Sequence, residues 1–427
     1  MPEARVAAPD RPPRAAAIPA RSRLGLTALA SASFVYVTAE TLPVGLLPQL
    51  SAGLHVRPGT VGLLVTVYAA IAGLTAIPLT ASLEHRSRRT VVVGCVALLA
   101  LSQFMVTVAP DYAVVLAARV LCALAHGVFW SMLAPVAARL APPGQGGRAT
   151  SLVFVGNSVA LVGGIPLGTA LGHAVGWRAA MAAVGLLGVL SAVALYRVLP
   201  ELPATAAAGG PAAHDGPGDQ DAAPQPGIRA RLAALPAALG SGPLLAICLV
   251  TMIVVIGHFA AYTYITALVR QDAGLSGLGL SAVLFGYGAA GIAGIVLAGR
   301  ITDRRPRRTG AAAVSGIVLA LAVLATVAHG STVGTVTAVA VWGGGFTAMT
   351  VFLQAAVLRV APRSADTASA LYVVAFQIGI GGGALAGSLL VNAGELAVLP
   401  AAGLALAAIG LLVVLLSPRA FPARGGG

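Results

Sequence analysis

The chain has 427 residues, of which 58% are hydrophobic and only 9% are charged. Together with a mean hydropathy of +0.92, this composition excludes an ordinary water-soluble domain and predicts an integral membrane protein. All 26 basic residues are arginine, and the formal net charge is +13. Because the arginines are spread between apolar runs, they favour a role in membrane topology over a nucleic-acid partner.

Twelve apolar runs are long enough to cross the roughly 30 Å hydrocarbon core of a bilayer. Most are separated by very short polar breaks. The runs lie at residues 24–50, 60–82, 91–109, 112–140, 147–175, 177–199, 243–270, 276–300, 309–329, 331–360, 364–392 and 396–417. The sequence therefore predicts an all-α integral membrane protein with twelve transmembrane helices.

The arginines are distributed unequally between the two sides of this arrangement. If the N-terminus lies inside, 22 of the 26 arginines fall in cytoplasmic segments, three fall outside and Arg119 lies within a span. An excess of basic residues marks cytoplasmic loops. We expect a multi-pass protein of the cytoplasmic membrane with both termini in the cytoplasm.

The chain divides into two halves joined by a polar linker. Residues 200–242 are rich in Pro, Gly and Ala and predict a disordered cytoplasmic linker. A shift of 219 residues places Glu84 on Asp303 and Arg88-Arg89 on Arg307-Arg308. We infer two pseudo-symmetric six-helix halves with a shared cavity at their interface. The predicted segments are an N-terminal arm at 1–23, a first half at 24–199, the linker, a second half at 243–417 and a tail at 418–427.

The loop after the eighth span reads Gly299-Arg300-Ile301-Thr302-Asp303-Arg304-Arg305-Pro306-Arg307-Arg308. It resembles the Gly-x-Leu-Ala-Asp-Arg-x-Gly-Arg-Arg signature of the major facilitator superfamily. Its counterpart at residues 80–89 keeps the acid and the terminal arginines but replaces both glycines. A carboxylate at a helix end can form charge-assisted bonds that latch one conformation; the alternative is positive-inside charge alone. The candidate gating residues here are Glu84, Arg88, Asp303, Arg304 and Arg307.

In the fifth span, Gly156, Ala160, Gly164 and Gly168 recur every four residues, with Pro166 between the last two. Small residues at this spacing let helices approach closely, and a proline permits a bend. The run resembles the fifth-helix signature of facilitator antiporters, although a Gly-rich packing face would look much the same. We count Gly164 and Pro166 among the gating candidates.

Glu40 is the only acidic residue in the middle of an apolar run. A carboxylate in hydrocarbon is costly and persists mainly where it faces a bundle interior or a cavity. Arg119, His126 and Trp130 are spaced seven and four residues apart, so they share one helix face. Because Arg119 and Glu40 lie at similar depths, we expect an ion pair that helps Glu40 to exchange a proton, and we expect His126 to take part. The alternatives are a permanent structural pair and a histidine that only bonds neighbouring helices.

Several aromatic and amide side chains fall within the spans and suit a neutral polyhydroxylated or amphipathic ligand better than an ion. Each of them alone is equally compatible with helix packing. The candidate ligand-binding residues are Trp130, Asn157, His258, Tyr262, Tyr264, Gln354 and Gln377.

Residues 38–48, 125–131, 176–178 and 258–265 resemble the bacterial sugar (arabinose) efflux transporters of the drug:proton antiporter branch of the major facilitator superfamily. The resemblance covers nearly the whole chain apart from the arm, the linker and the tail. It implies that Glu40, Arg119 and His126 occupy positions associated with coupling. It also implies that Trp130, His258 and Tyr262 face the central cavity.

We therefore expect a transporter that exports a small, sugar-like neutral solute by proton antiport through alternating access. Chloramphenicol exporters share the motif of the first span, so a drug exporter is the alternative within this class. A membrane-embedded enzyme is disfavoured because no carboxylate pair suited to Mg²⁺ occurs in a loop. A uniporter and an importer stay open. The expected partners are the solute, protons and the bilayer, with no metal, cofactor or nucleic acid, and a monomer suffices.

Overall fold

A computed structural model describes residues 19–83, 86–142, 146–202, 240–302, 304–326, 330–361 and 365–423. These residues form fifteen α-helices and no strand. The helices are α1 Ala20–Gly45, α2 Leu47–Gly53, α3 Pro58–Ser82, α4 Arg88–Thr107, α5 Tyr112–Arg139, α6 Gly146–Val159, α7 Ile165–Val175, α8 Trp177–Val198, α9 Gly242–Tyr262, α10 Ile265–Ala273, α11 Gly277–Ile301, α12 Pro306–Thr326, α13 Thr332–Val360, α14 Ala365–Asn392 and α15 Leu399–Leu416. A π-helical turn, Ala160–Gly164, joins α6 to α7.

The helices confirm the prediction of an all-α membrane fold. Within the described residues, eleven helices are long and apolar enough to cross a membrane, and the bent pair α1–α2 makes a twelfth span. That pair bends by 68° at Leu46, just before Pro48. The span predicted at residues 243–270 is likewise interrupted, because α9 ends at Tyr262 and α10 begins at Ile265.

The two halves repeat the same packing scheme. In the first half α1 packs against α6, α7 and α8, α3 against α5, and α4 against α5 and α8. In the second half α9 packs against α14 and α15, α11 against α13, and α12 against α13 and α15. The halves meet where α3 contacts α14 and where α11 contacts α7 and the π turn. Most of the predicted linker, residues 203–239, lies outside the described residues.

A pair of main-chain hydrogen bonds shows the repeat at the level of single residues. The amide N–H of Arg88 donates to the carbonyl oxygen of Leu202 at 3.1 Å, and that of Arg307 donates to Pro422 at 3.2 Å. The donors are 219 residues apart and the acceptors 220. The shift of 219 residues inferred from the sequence is therefore matched to within one residue in the folded chain.

Small residues allow α6, the π turn and α7 to lie directly against α1. A Cβ atom at Gly156 would overlap the carbonyl oxygen of Ala30, and one at Gly164 would overlap the hydroxyl of Thr38. The π turn comes just before Pro166, which has no N–H for the carbonyl of Val162, so the hydrogen-bond ladder shifts register here. The sequence predicted that Pro166 permits a bend; the structure has a π turn before it, and residues Leu152–Val175 form one span.

Candidate functional site

Glu40 lies on α1, inside the bundle. Its side chain is 24% exposed, and its Oε2 atom is 3.9 Å from Nδ1 of His126 on α5. α1 is packed by helices of its own half and also touches α10 of the second half. The carboxylate is therefore partly exposed on a helix that contacts both halves, and His126 is its close basic partner among the described residues.

Arg119 is 2% exposed and holds the main chain of α1. It donates to the carbonyl oxygen of Ala39 at 2.8 Å and to that of Glu40 at 3.1 Å. Pro43, four residues after Ala39, has no N–H, so the Ala39 carbonyl lacks its usual helical partner. The prediction of an ion pair between the Arg119 and Glu40 side chains is wrong, because the two side chains do not pair in the structure. The guanidinium instead satisfies the carbonyl that Pro43 leaves free, and the Glu40 carboxylate faces His126.

Tyr68 of α3 connects these groups. Its ring lies 4.2 Å below the guanidinium carbon of Arg119, a cation–π contact. Its hydroxyl is 2.8 Å from Nδ1 of His126 and 3.9 Å from Sγ of Cys122. Tyr68 therefore contacts both Arg119 and His126, which share one helix face as predicted. The sequence analysis did not single out Tyr68.

Aromatic rings enclose His126 on its other sides. The Tyr36 ring is 6.1 Å away and stacks on Phe129 at 4.1 Å, and the Trp130 ring is 6.0 Å away. Trp130 also approaches the partly exposed Phe154 of α6 at 5.9 Å. The buried Nε1 atom of Trp130 has no hydrogen-bond partner in the described structure. Of the predicted ligand-binding residues, Trp130 is the one adjacent to the Glu40–His126 pair.

A second aromatic group lies in the other half. His258 stacks on Phe346 at 3.4 Å and on Tyr262 at 4.9 Å, and Trp342 and Tyr287 pack beside them. His258 and Tyr262 are only 1% and 5% exposed, whereas Phe346 is half-buried. Nδ1 of His258 and Nε1 of Trp342 are buried without a partner among the described residues. His258 and Tyr262, two of the three residues predicted to face the cavity, therefore lie behind Phe346, which was not predicted.

The other predicted ligand-binding residues are dispersed. Asn157, Gln354 and Gln377 are half-buried, and Gln354 Nε2 donates to Ser369 Oγ at 3.4 Å. The methylene carbons of Gln377 lie near Gly73, where α14 meets α3. Tyr264 is fully buried at the boundary between the halves and does not join the aromatic group, because its hydroxyl donates to the carbonyl of Gly59 at 3.3 Å.

Two further hydrogen bonds join the halves in the described part of the chain. Ser388 donates to the carbonyl of Gly59 at 2.7 Å, and Thr266 donates to that of Val44 at 3.3 Å. Pro48, four residues after Val44, leaves that carbonyl free, as Pro43 does for Ala39. All three bonds between the halves lie on the side opposite the arginine-rich loops.

The predicted gating residues are described only in part. Glu84 and Asp303 lie outside the described residues, and Arg304 is exposed. A guanidinium of Arg307 donates to the carbonyl of Leu415 and one of Arg89 to that of Tyr196, so both brace helices of their own half. Gly164 ends the π turn that lies between α1 and α11. No group of three potential metal-ligating side chains occurs among the residues described.

Comparisons with known proteins give a family and several relatives. The profile of the Major Facilitator Superfamily matches residues 29–384. The chain is 39% identical over 373 residues to a chloramphenicol efflux pump of Mycobacterium tuberculosis (strain CDC 1551 / Oshkosh). This alignment covers 86% of this chain and 85% of the pump. It is 31% identical over 360 residues to a probable sugar efflux transporter of Helicobacter acinonychis (strain Sheeba). That alignment covers 84% of this chain and 86% of the transporter.

The fold has a counterpart among solved structures. A bacterial homologue of the human lysosomal transporter Spinster, in an inward-facing and unoccupied conformation, matches with a TM-score of 0.73. The match covers 96% of this chain and 100% of the other, at 16% sequence identity. At this identity the likeness concerns the fold alone.

Proposed function

The chain belongs to the major facilitator superfamily, and from that premise we propose that it exports a neutral aromatic solute of the chloramphenicol class in exchange for protons. The family and the relatives are transporters, and the chain is a multi-pass membrane transporter rather than an enzyme. The observation that carries the proposal is the position of the Glu40–His126 pair beside Trp130, which lies on α5 with His126.

The aromatic groups favour a flat, amphipathic ligand. Trp130 and Phe154 in the first half and Phe346 in the second keep part of their rings exposed. Offset stacking on such rings stabilises an aromatic solute. On this ground we propose a drug-type solute in preference to the sugar-like solute that the sequence favours.

Protonation of His126 changes its interactions with the side chains around it. The hydroxyl of Tyr68 donates to Nδ1 of His126 when that nitrogen is unprotonated, and accepts from it when it is protonated. A protonated His126 also attracts the Glu40 carboxylate 3.9 Å away. A change in protonation therefore alters both the charge and the hydrogen bonding of the helix face that carries Trp130, which can couple proton binding to solute binding.

We assign the arginine-rich side to the cytoplasm. The three hydrogen bonds between the halves then hold the outer side together. The packing of α11 against the π turn and α7, the parts of that span nearer the outer side, agrees with this assignment. Alternating access requires these outer bonds to break while the halves rotate about the central site. We propose that Glu84 and Asp303, together with the arginines after α3 and α11, latch one conformation at the cytoplasmic side.

A sugar-like solute is the second candidate, for a specific reason. Three half-buried amide side chains, those of Asn157, Gln354 and Gln377, can bond the hydroxyl groups of a polyol. A probable sugar efflux transporter is also among the relatives.

The test is proton movement in proteoliposomes that contain the purified protein and an internal pH indicator. Chloramphenicol added across an imposed pH gradient is expected to trigger proton flux, and arabinose is not. Glu40→Gln is expected to abolish uphill transport and to leave some exchange, because its side chain cannot titrate. Glu395→Gln is the matched control, since Glu395 is exposed and lies between helices.

Each other outcome has a definite meaning. Proton flux with arabinose alone supports the second candidate. Solute flux without proton movement contradicts antiport and indicates a uniporter. Full accumulation by Glu40→Gln removes Glu40 from the mechanism.

A further inference from the structure

A small cavity lies behind Arg119, on the side away from the space between the halves. It holds about 10 Å³ of room for the centre of a water molecule, and one water needs roughly 10–15 Å³ by this measure. The wall is built from α1, α2, α3, α4, α5 and α8 and is apolar except for Arg119 and Gln103. The cavity is therefore of the size of a single water, with two polar groups on its surface.

These two polar groups have complementary unsatisfied atoms. Nε of Arg119 is a buried donor without a partner, and Oε1 of Gln103 is a buried acceptor without a partner, among the residues described. Gln103 is 1% exposed, and its Nε2 atom donates to the hydroxyl of Ser102 at 3.4 Å. Buried polar atoms are almost always satisfied by protein or by ordered water. Because both residues line the cavity, a water held in it is within the reach of both side chains.

We propose that one water molecule occupies this cavity, accepts a hydrogen bond from Nε of Arg119 and donates one to Oε1 of Gln103, which makes Gln103 a positioning residue for Arg119. The water site itself follows from the cavity and from the two polar atoms. Its consequence for coupling rests on the proposed function.

The consequence follows from what Arg119 holds. The guanidinium binds the carbonyls of Ala39 and Glu40, so it fixes the segment of α1 that carries the Glu40 side chain. The titratable groups around it are Glu40 on α1, Tyr68 on α3, and Cys122 and His126 on α5. Gln103 and the water thus determine where Glu40 lies relative to His126, without touching the solute or the transferred proton.

A methionine in the cavity wall reports directly on the water. Met181 lines the cavity and is 2% exposed, whereas Met349 is 0% exposed and lies in the second half, away from the cavity. In radiolytic footprinting of the full-length protein, a bound water produces hydroxyl radicals that oxidise the side chains beside it. We expect Met181 to be oxidised and Met349 to be protected.

Val115 provides the matched variants. It lines the cavity and is 1% exposed. Val115→Ile adds a methyl group to the space of the water, so oxidation of Met181 is expected to be lost. Val115→Ala enlarges the space and is expected to preserve oxidation. If Met181 is as well protected as Met349 in the unchanged protein, or stays oxidised in Val115→Ile, the water site is overturned.

The positioning role has its own measurement, the pH profile of transport in proteoliposomes. Gln103→Leu removes the acceptor and is expected to shift the midpoint of that profile, while Gln103→Asn keeps an acceptor and restores it. Gln271→Leu, at an exposed glutamine outside the cavity, controls for loss of a glutamine. A profile of Gln103→Leu identical to that of Gln271→Leu overturns the positioning role. The footprint needs no transport, so failure of proton antiport leaves the water site testable.

Discussion

The hydroxyl of Tyr68 lies where the charged groups of the first half converge. It is 2.8 Å from His126, and its ring lies under Arg119. A hydroxyl can both donate and accept, so it can bond either protonation state of Nδ1. Tyr68 therefore keeps His126 hydrogen-bonded through a proton cycle, while its ring holds the permanent charge of Arg119 in place.

Tyr68→Phe separates these two roles, because it keeps the ring and removes the hydroxyl. We expect the pH dependence of transport between about pH 5 and 8, the range in which histidine titrates, to shift or flatten. The solute affinity measured at a single pH should change little, since Tyr68 lies behind His126. The measurement is the initial rate of proton-driven transport in proteoliposomes at a series of pH values.

Tyr112→Phe is the control for this change. The Tyr112 hydroxyl donates to the carbonyl of Thr60 at 2.8 Å, so its loss also removes a tyrosine hydrogen bond from the first half. It should lower stability and leave the pH profile unchanged. A wild-type profile in Tyr68→Phe would contradict a role for the hydroxyl in proton transfer.

The sequence predicts this site in part. The spacing of Arg119 and His126 places both on one helix face, and the lone acid Glu40 marks the facing helix. A single tyrosine within an apolar span, such as Tyr68, has no periodic signal, because packing between helices decides which face it points to. The sequence did contain a sign of the true partner of Arg119, because Pro43 leaves the carbonyl of Ala39 without its helical hydrogen bond. We expected an ion pair with Glu40 instead.

At the scale of elements, the contact between α1 and the helix formed by α6, the π turn and α7 depends on the absence of side chains. A Cβ atom at Gly156 would overlap a main-chain carbonyl, which no change of rotamer can relieve. The π turn also contacts α11, where a Cβ atom at Gly288 would overlap the carbonyl of Leu161. Both faces of this span therefore require close backbone approach.

Gly156→Ala should destabilise the protein. Insertion of a methyl group into a tightly packed contact costs about 1–3 kcal/mol, so we expect a lower thermal unfolding temperature of the detergent-purified protein. Gly94→Ala is the matched control, because nothing lies within 4 Å of the position of its Cβ atom and alanine is the better helix former. Equal unfolding temperatures for the two variants would contradict the close packing of α6 on α1.

The helices themselves are largely predictable, because each apolar run is long enough to span a bilayer. The break between α9 and α10 is not, since Thr263 and Tyr264 contain neither proline nor glycine. The contacts of Tyr264 with Gly59 and of Thr266 with Val44 bind this break to the other half. A feature stabilised by contacts between halves leaves no local pattern in the sequence.

At the scale of the whole molecule, two prolines of the first span each leave one main-chain carbonyl without its helical hydrogen bond, and the two carbonyls have different partners. Pro43 frees the carbonyl of Ala39, which Arg119 binds within the first half. Pro48 frees the carbonyl of Val44, which Thr266 binds from the second half. The same short segment therefore carries the proposed proton site and one of the outer contacts that hold the halves together. Movement of this segment can link protonation to opening of the outer side.

Thr266→Val tests that link, because it preserves shape and removes the hydroxyl. The net contribution of one hydrogen bond is about 1 kcal/mol, which shifts a two-state equilibrium roughly fivefold. We expect a larger outward-open population, measured as longer distances between spin labels at the exposed positions His55 and Gln271 on the outer side of the two halves. Thr251→Val is the control, since Thr251 bonds only to Ile247 of its own helix. An unchanged distance distribution in Thr266→Val would show that the bond to Val44 does not hold the outer side closed.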